Sequence, residues 1–125
     1  MGKVKQLTVS LENQPGRLAA VAKVLADAKV NIEAVLGSTA GEQGSAQLVV
    51  DNIVKAKKAL SAAQFAYAEG TLEQVELPNK AGALAEFTAK LAKKGVNIDA
   101  AYCTVSKGGA KRAVVFFATS KQTGG

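Results

Sequence analysis

Residues 11–33 read LENQPGRLAAVAKVLADAKVNIE, and residues 77–99 read LPNKAGALAEFTAKLAKKGVNID. The second stretch follows the first at an offset of 66 residues without a gap, and ten of the 23 aligned positions are identical. Two copies with so long a period indicate a duplicated domain and not a solenoid of short repeats. The rest of the chain is therefore interpreted as two related halves.

The composition is that of a folded, basic protein without histidine. The chain has 125 residues, 48% of them hydrophobic, and a formal net charge of +6, which argues against disorder. The absence of histidine removes the commonest general base and metal ligand. We therefore expect no catalytic site, no metal site and no cofactor. Cys103 is the single cysteine, and we expect it to be a buried small hydrophobe in a strand.

No segment of the sequence is suited to a membrane. No apolar run approaches the roughly 20 residues that span a bilayer. The N-terminal residues MGKVKQLTVS lack the apolar core of a signal peptide. We expect a cytoplasmic protein without a membrane partner.

The first half begins with a strand, a helix and a hairpin. Residues 4–11 alternate between apolar and polar side chains, which predicts a strand with one buried face. Apolar residues at helical spacing from Arg17 predict an amphipathic helix, with Pro15 in its first turn. Two further strands are predicted at residues 30–39 and 45–51, and residues 40–44 form the loop between them.

A helix and a short strand close the first half. Asp51 or Asn52 can cap the helix, whose apolar stripe begins at Ile53. We expect a fourth strand over residues 64–69, ended by Gly70. The order strand–helix–strand–strand–helix–strand is that of a ferredoxin-like unit, in which two helices cover one face of an antiparallel sheet.

The second half repeats this order and then stops. A strand around Val75 precedes a helix that ends at Gly95, a residue suited to the left-handed conformation at a helix C-terminus. Strands are expected over residues 96–106 and 111–119, joined by a turn over residues 107–109.

The predicted fold class is α+β, with two tandem ferredoxin-like βαββαβ units at residues 1–70 and 71–125 that have antiparallel sheets and helices on one face. The second unit lacks its last helix and strand, which leaves the strand near Val75 with an open edge. Residues 113–118 and much of 98–105 are apolar on both faces, as strands covered on both sides are. We therefore expect the bare sheet face or edge to be buried in a homodimer or a higher homo-oligomer.

The repeated pattern of strand, N-x-P-G-x-L, helix and V-N-I resembles the ACT domain, a small-molecule-sensing module attached to many enzymes of amino-acid metabolism. The resemblance covers residues 4–69 and 71–119, although Ala81 replaces Pro15 in the second copy. It implies a stand-alone tandem ACT protein that is regulatory and not an enzyme. Such a protein binds a free amino acid between ACT units and modulates its own oligomer state or a partner such as a metabolic enzyme.

The resemblance also implies where the ligand binds. In the family the ligand lies between two units, in contact with the glycine loop of one and the strand of its neighbour. Transferred to this sequence, these positions are Asn13, Gly16, Arg17, Leu18, Asn31 and Ile32 in the first copy and Asn79, Gly82, Ala83, Leu84, Asn97 and Ile98 in the second.

These residue types suit a free amino acid, which presents a carboxylate and an ammonium group. A glycine loop lets the backbone approach the ligand, and a helix N-terminus offers N–H groups to the carboxylate. An asparagine side chain offers both a donor and an acceptor. Because Ala83 stands where the first copy has Arg17, we expect the first loop to bind a carboxylate more tightly.

Each of these residues also has a simpler structural role. The asparagines can form turns, cap the helices or satisfy backbone groups at strand ends. The glycines can serve turn geometry alone, and the leucines and isoleucines can belong to the core.

An RNA-binding module with a basic surface is the alternative function, because RNA-recognition modules share this order of strands and helices. Their third strand carries spaced aromatic residues. Residues 111–117, KRAVVFF, match that pattern poorly, and residues 46–50 contain no aromatic residue. Nucleic acid is therefore disfavoured as a partner. Catalysis is disfavoured too, because no nucleophile and base share a motif.

Overall fold

The computed structural model of the chain describes residues 2–105 and 111–121. Its elements are β1 (Gly2–Glu12), α1 (Arg17–Asp27), β2 (Ile32–Ala40), β3 (Gln43–Val50), α2 (Ile53–Ala62), β4 (Tyr67–Pro78), α3 (Ala83–Lys93), β5 (Val96–Val105) and β6 (Arg112–Lys121). The chain divides into a first unit of residues 5–70 and a second unit, which combines residues 2–4 with the described residues from 71 onward.

The first unit is the ferredoxin-like fold that the sequence predicts. Its strands lie in the order β2–β3–β1–β4, and antiparallel pairing sets Leu7 and Val35 on either side of Leu48. Alternate residues of β1 and β3 join both helices in one buried core, formed by Leu7, Val9, Leu11, Val21, Leu25, Val30, Ala46, Leu48, Ala56 and Leu60. Both helices therefore cover the same face of an antiparallel sheet.

The second unit repeats this arrangement with a smaller described core. Its strands lie in the order β1–β4–β6–β5, and α3 contributes Leu91 to a core that also contains Val115 and Phe117. The rings of Phe87 and Phe117 meet edge to face, with their centroids 5.4 Å apart. Within the described ranges this unit contains one helix, as the sequence predicts.

The edge of β4 is less open than the missing fourth strand suggested. The beginning of β1 lies beside it in the second unit. The Lys3 ammonium lies 3.9 Å from the Glu73 carboxylate, and a Cβ built on Gly2 would lie 3.8 Å from Nε2 of Gln74. The expectation of a fully open edge near Val75 is thus wrong, because residues 2–4 extend β1 beyond the alternating pattern from which it was predicted.

β4 also continues through Gly70, where the sequence predicts a break. Tyr67–Pro78 form one strand, which begins in the first unit and continues into the second. A glycine weakens a strand, because it has no side chain to pack, but it does not end one. The chain therefore passes from one unit to the next without a loop.

The two apolar strands of the second unit differ in burial. Val115, Phe116 and Phe117 of β6 are all buried, so β6 is covered on both faces as expected. No side chain in residues 96–104 of β5 is buried, and Cys103 is exposed. The expectation that Cys103 is buried within the chain is wrong, because β5 is the outer strand of this unit. Cover of β5 by a second copy stays a prediction. The turn predicted at residues 107–109 lies outside the described residues.

The sheet face opposite the helices is partly buried within the single chain. Val49 and Ala34, which pair across β3 and β2, are 1% and 7% exposed. In the second unit Phe116 is 4% exposed and contacts Tyr102, with ring centroids 5.7 Å apart. Burial raises the pKa of the Tyr102 hydroxyl to about 12. A homodimer is therefore not required to bury Val49, Ala34 or Phe116.

In the described ranges, no helix combines the length and the apolar character that crossing a membrane requires.

Candidate functional site

The first copy of the repeated stretch turns from β1 into α1 through Gly16. This glycine has φ 88° and ψ −6°, and the N–H of Arg17 donates to the Gln14 carbonyl at 3.4 Å. These are the features of a type II β-turn with glycine in its third position. Pro15 holds the second position of this turn and precedes α1, so its predicted place inside the helix is wrong. The fixed φ of proline, about −65°, suits that turn position.

The second copy forms the same turn without a proline. Gly82 has φ 89° and ψ −16°, and the N–H of Ala83 donates to the Lys80 carbonyl at 3.3 Å. The N–H of Asn79 donates to the Lys111 carbonyl at 2.9 Å. Gly16 and Gly82 thus provide turn geometry, whatever else the two loops do.

The side chain of Asn13 connects the first loop to the β2–β3 turn by a hydrogen bond. Its Nδ2 donates to the Gly41 carbonyl at 2.9 Å, and its backbone N–H donates to the Glu42 carbonyl at 3.0 Å. The residue that precedes α1 is Gly16, and no side chain caps the helix. Asn13 therefore fixes the loop against the hairpin and does not cap α1.

A cavity of about 330 Å³ lies beside this loop, in the first unit. It is lined by Leu11, Glu12, Asn13, Gln14, Arg17, Leu18, Gly37, Ser38, Thr39, Gly44 and Ser45. Packing is tight at Gly44, where a Cβ would lie 3.1 Å from the Ser38 carbonyl oxygen, so a larger residue would require a small shift of the β2 backbone. The volume falls within the range of small-molecule sites, which begins at about 300 Å³.

Arg17 supplies a positive charge to this pocket. Its Cζ lies 5.1 Å from the centroid of the Phe65 ring, which is within cation–π distance. In the part of the chain that the structure describes, its Nε is buried without a hydrogen-bond partner, and no carboxylate lies within ion-pair distance of it. The guanidinium is therefore held by a ring while its hydrogen-bonding capacity is not met by described protein groups.

Glu12 supplies a negative charge from the end of β1. Its side chain is exposed and forms no ion pair with any described residue. The pocket thus contains a cation and an anion that are not paired with each other, beside the hydroxyl-bearing residues Ser38, Thr39 and Ser45. This arrangement complements a small molecule that carries both charges.

The predicted strand residues of the first copy lie far from this pocket. β2 begins at Ile32, near Val50, whereas the pocket lies near Gly44. These two places are six residues apart on β3, about 20 Å at roughly 3.3 Å per residue. The backbone N–H of Asn31 donates to the Asp51 carboxylate at 2.9 Å, and its side chain is exposed. One unit alone therefore does not bring Asn31 and Ile32 together with the glycine loop.

The corresponding loop of the second unit has a different pocket. A cavity of about 250 Å³ is lined there by Leu77, Pro78, Lys80, Ala83, Glu86, Phe87 and Lys90. In the repeat alignment Pro78 and Ala83 occupy the positions of Glu12 and Arg17, so both charges of the first pocket are lost. The charges that remain include Glu86 and Lys90, which pair with each other at 3.9 Å.

The strand residues of the second copy are engaged within their own unit. Nδ2 of Asn97 donates to the Asp99 carboxylate at 2.7 Å, and the Ser120 hydroxyl donates to the same oxygen at 3.0 Å. Ile98 packs against the core of the second unit, as Ile32 packs against that of the first. Both isoleucines thus have the core role that was their simpler interpretation.

Comparison with protein families identifies both copies. The model of the ACT domain matches residues 5–61 and again residues 71–123, which together make up most of the chain. The chain belongs to the ACT domain family. The two matches confirm the prediction of a tandem ACT protein. Membership of this family supports a regulatory, ligand-binding role over a catalytic one.

Solved structures with the same arrangement include proteins of two kinds. Protein BT0572 from Bacteroides thetaiotaomicron is 32% identical, with a TM-score of 0.88 over 95% of this chain and 81% of that one. The regulatory subunit of aspartate kinase from Thermus thermophilus is 18% identical, with a TM-score of 0.68 over 92% of this chain and 82% of that one. Its counterpart from Thermus flavus is 20% identical, with a TM-score of 0.58 over 94% and 87%.

At these identities the kinase subunits support the fold. No curated protein matches the sequence.

Both ACT units leave a leucine of the motif exposed beside the loop. Leu18 is 47% exposed and Leu84 is 55% exposed. These side chains are therefore not core residues, which was their simpler interpretation, and they are available to contact a ligand.

Two further observations bear on the alternative functions. Phe116 and Phe117 are 4% and 1% exposed, so neither ring of β6 is free to stack on a base as RNA recognition requires. Among the described residues, no cluster of three or more cysteine, aspartate or glutamate side chains could hold a metal ion.

Of the eleven residues that line the pocket, the sequence identified three, which are Asn13, Arg17 and Leu18. Glu12 and the hairpin residues Gly37, Ser38, Thr39, Gly44 and Ser45 line it but carry no ACT motif. The one sequence feature that could have indicated these hairpin residues is that glycines and hydroxyl-bearing residues lie on both sides of the short turn between β2 and β3. Only the register, which sets Leu11 and Thr39 on either side of Gly44, places that group beside the glycine loop.

Proposed function

We propose that this ACT protein is a regulatory subunit that binds a free α-amino acid in the pocket of its first unit. The observation that carries the proposal is Arg17, a cation that lines a pocket of suitable size without a carboxylate partner among the described residues. A ligand carboxylate would supply the acceptors that this guanidinium lacks. Such charge-assisted hydrogen bonds are roughly twice as strong as neutral ones.

Two other features of the pocket support an amino acid over a simple anion. α1 begins at Arg17 without a side-chain cap, so the helix dipole favours a carboxylate at this end. Glu12, in the same lining, offers a carboxylate to the ligand ammonium group. Leu11 and Leu18 give the pocket apolar surface against which a ligand side chain can pack.

The strand positions Asn31 and Ile32 would complete the site from another ACT unit. A ligand at the glycine loop is about 20 Å away from the same unit's Asn31, by the strand rise, and cannot touch both. A homodimer or higher homo-oligomer, in which a second copy presents these residues, satisfies that requirement. Ligand binding would then shift oligomer state or affinity for a partner such as a metabolic enzyme, by a coupling of typically 1–3 kcal/mol.

A thermal-shift screen with each of the twenty proteinogenic L-amino acids tests the proposal. Binding to the folded state raises the free energy of unfolding by RT ln(1 + L/Kd), so the gain increases with the ratio of the free ligand concentration L to Kd. We expect at least one amino acid to raise the unfolding temperature, and we expect Arg17→Met to weaken its binding about tenfold, the loss of roughly 1.4 kcal/mol.

Lys58→Met is the matched control, because Lys58 is an exposed cation on α2 outside the pocket lining. It should bind as the unaltered protein does. No stabilisation by any of the twenty amino acids, or equal losses in Arg17→Met and Lys58→Met, would contradict the proposal.

A further inference from the structure

Phe65 lies behind Arg17 and outside the pocket. Its ring faces the Arg17 guanidinium at 5.1 Å, but it is not part of the cavity lining. Arg17 therefore contacts both the Phe65 ring and the cavity that a ligand would occupy. Because the Phe65 ring does not line the cavity, it can affect ligand binding there through the position of the Arg17 guanidinium.

The end of α2 fixes the position of this ring. The N–H of Phe65 donates to the Leu60 carbonyl at 2.9 Å, and the N–H of Gln64 donates to the Ser61 carbonyl at 3.0 Å. Gln64 has a left-handed φ of 64°. Together these features form a Schellman motif, which turns the residue after the left-handed one back against the helix. Phe65 consequently packs against the core of the first unit.

In the part of the chain that the structure describes, Arg17 has no polar partner that could fix it instead. Among the described residues its Nε is buried without a partner, and its side chain forms no ion pair. An arginine side chain loses considerable rotamer freedom when it is held in one place. In the ligand-free protein the ring contact is the interaction that can hold the guanidinium beside the pocket before a carboxylate arrives.

We propose that Phe65 is a positioning residue for the amino-acid site: its ring orients the Arg17 guanidinium for the ligand carboxylate. This inference rests on the proposed function. The end of α2, which is distant in sequence from the glycine loop, thereby controls the affinity of that loop for its ligand.

The test is a calorimetric titration of Phe65 variants with each of the twenty proteinogenic L-amino acids. Phe65→Leu removes the ring and keeps an apolar side chain, and we expect it to weaken binding roughly three- to tenfold. Phe65→Tyr keeps a ring and should bind nearly as the unaltered protein does. Tyr67→Leu is the matched control, because Tyr67 packs against the same core and is not in the pocket lining.

A double-mutant cycle with Arg17→Met separates positioning from a general loss of structure. With the guanidinium removed, Phe65→Leu should weaken binding no further. The inference is overturned if Phe65→Leu binds the ligand like the unaltered protein. It is also overturned if Phe65→Leu still weakens binding in the Arg17→Met background. In either case the proposed function stands. Absence of binding in the unaltered protein instead removes the proposed function, and this inference with it.

A measurement without ligand checks the same claim. The Arg17 Nε–Hε resonance in the NMR spectrum of the ligand-free protein should be displaced by the ring current of Phe65. It should keep that displacement in Tyr67→Leu and lose it in Phe65→Leu. A resonance at the position of a free arginine in the unaltered protein contradicts a guanidinium held at the ring.

Discussion

Gly16 has φ 88° and Gly82 has φ 89°, so the two copies of the loop share almost the same backbone. Their side chains differ at the positions that carry charge: Glu12 and Arg17 in the first pocket are replaced by Pro78 and Ala83 in the second. The glycine of the motif thus maintains the turn in both units. The proposed binding of a zwitterion depends on residues that the motif does not specify.

The two cores offer the largest contrast that mutation can measure. Leu25 is fully buried in a core of ten buried residues, whereas Leu91 is 5% exposed in a described core of three. Leucine-to-alanine changes in cores cost about 2–5 kcal/mol. We expect Leu25→Ala to lower the free energy of unfolding by about 4 kcal/mol and Leu91→Ala by about 2 kcal/mol, from the same range.

Urea denaturation of both variants measures the difference. A loss for Leu91→Ala as large as that for Leu25→Ala would show that the second core is as well packed as the first.

Removing the turn glycines should affect both units alike. At Gly16 and Gly82 a Cβ would meet no atom within 4 Å, but the left-handed φ disfavours any L side chain. Such a conformation costs a non-glycine residue about 1–2 kcal/mol. We expect Gly16→Ala and Gly82→Ala each to lower the free energy of unfolding by that amount, as followed by chemical denaturation. A neutral result at either position would mean that the turn there is not held in this conformation.

The loop was the part of the molecule most open to sequence reasoning, because its determinants are local. The apolar periodicity that begins at Arg17 does lie in α1, although Pro15 precedes the helix. The left-handed residue predicted at Gly95 is confirmed. Asn52 accepts from the N–H of Lys55, as the predicted cap of α2 should. Each of these features depends on neighbours within a few residues.

The features that sequence reasoning missed depend on register. Gly37 and Ser45 belong to the pocket only because β2 and β3 pair as they do. Cys103 was predicted to be buried because its strand is apolar, but burial depends on which strand lies at the edge. Residues 2–4 belong to the second unit because the start of β1 pairs with β4. The paired residues are more than 60 positions apart in the sequence, so no local pattern reveals the pairing.

The ends of α1 and α3 provide a smaller contrast. Lys29 adopts φ 60° at the position where the second copy has Gly95 with φ 74°. A glycine avoids the strain of a left-handed lysine. We expect Lys29→Gly to raise the free energy of unfolding by about 0.5–1 kcal/mol and Gly95→Lys to lower it by a similar amount.

Lys58→Gly is the control for this exchange. It lies inside α2, where glycine should cost about 1 kcal/mol. If Lys29→Gly destabilises the protein as Lys58→Gly does, α1 does not end in the left-handed turn.

The effect of Tyr102 on stability appears only at high pH. Burial raises the pKa of its hydroxyl to about 12 in the folded state, from the ordinary value of 10.0. The stabilisation from keeping the neutral form is complete below the unfolded pKa and is lost as pH rises through the folded pKa. We expect the unfolding temperature to fall between pH 10 and about 12, and to fall less in Tyr102→Phe. Equal slopes in both proteins would contradict this burial.

The difference between the two loops can be measured directly by NMR. Backbone amide resonances of the uniformly ¹⁵N-labelled protein are followed during titration with the amino acid that gives the largest thermal shift. We expect saturable shifts in the amides of residues 12–14 and 16–18 and at Gly37, Ser38 and Ser45, with residues 79–84 unchanged. Equal shifts in both loops, or shifts confined to residues 79–84, would contradict the assignment of the ligand to the charged pocket of the first unit.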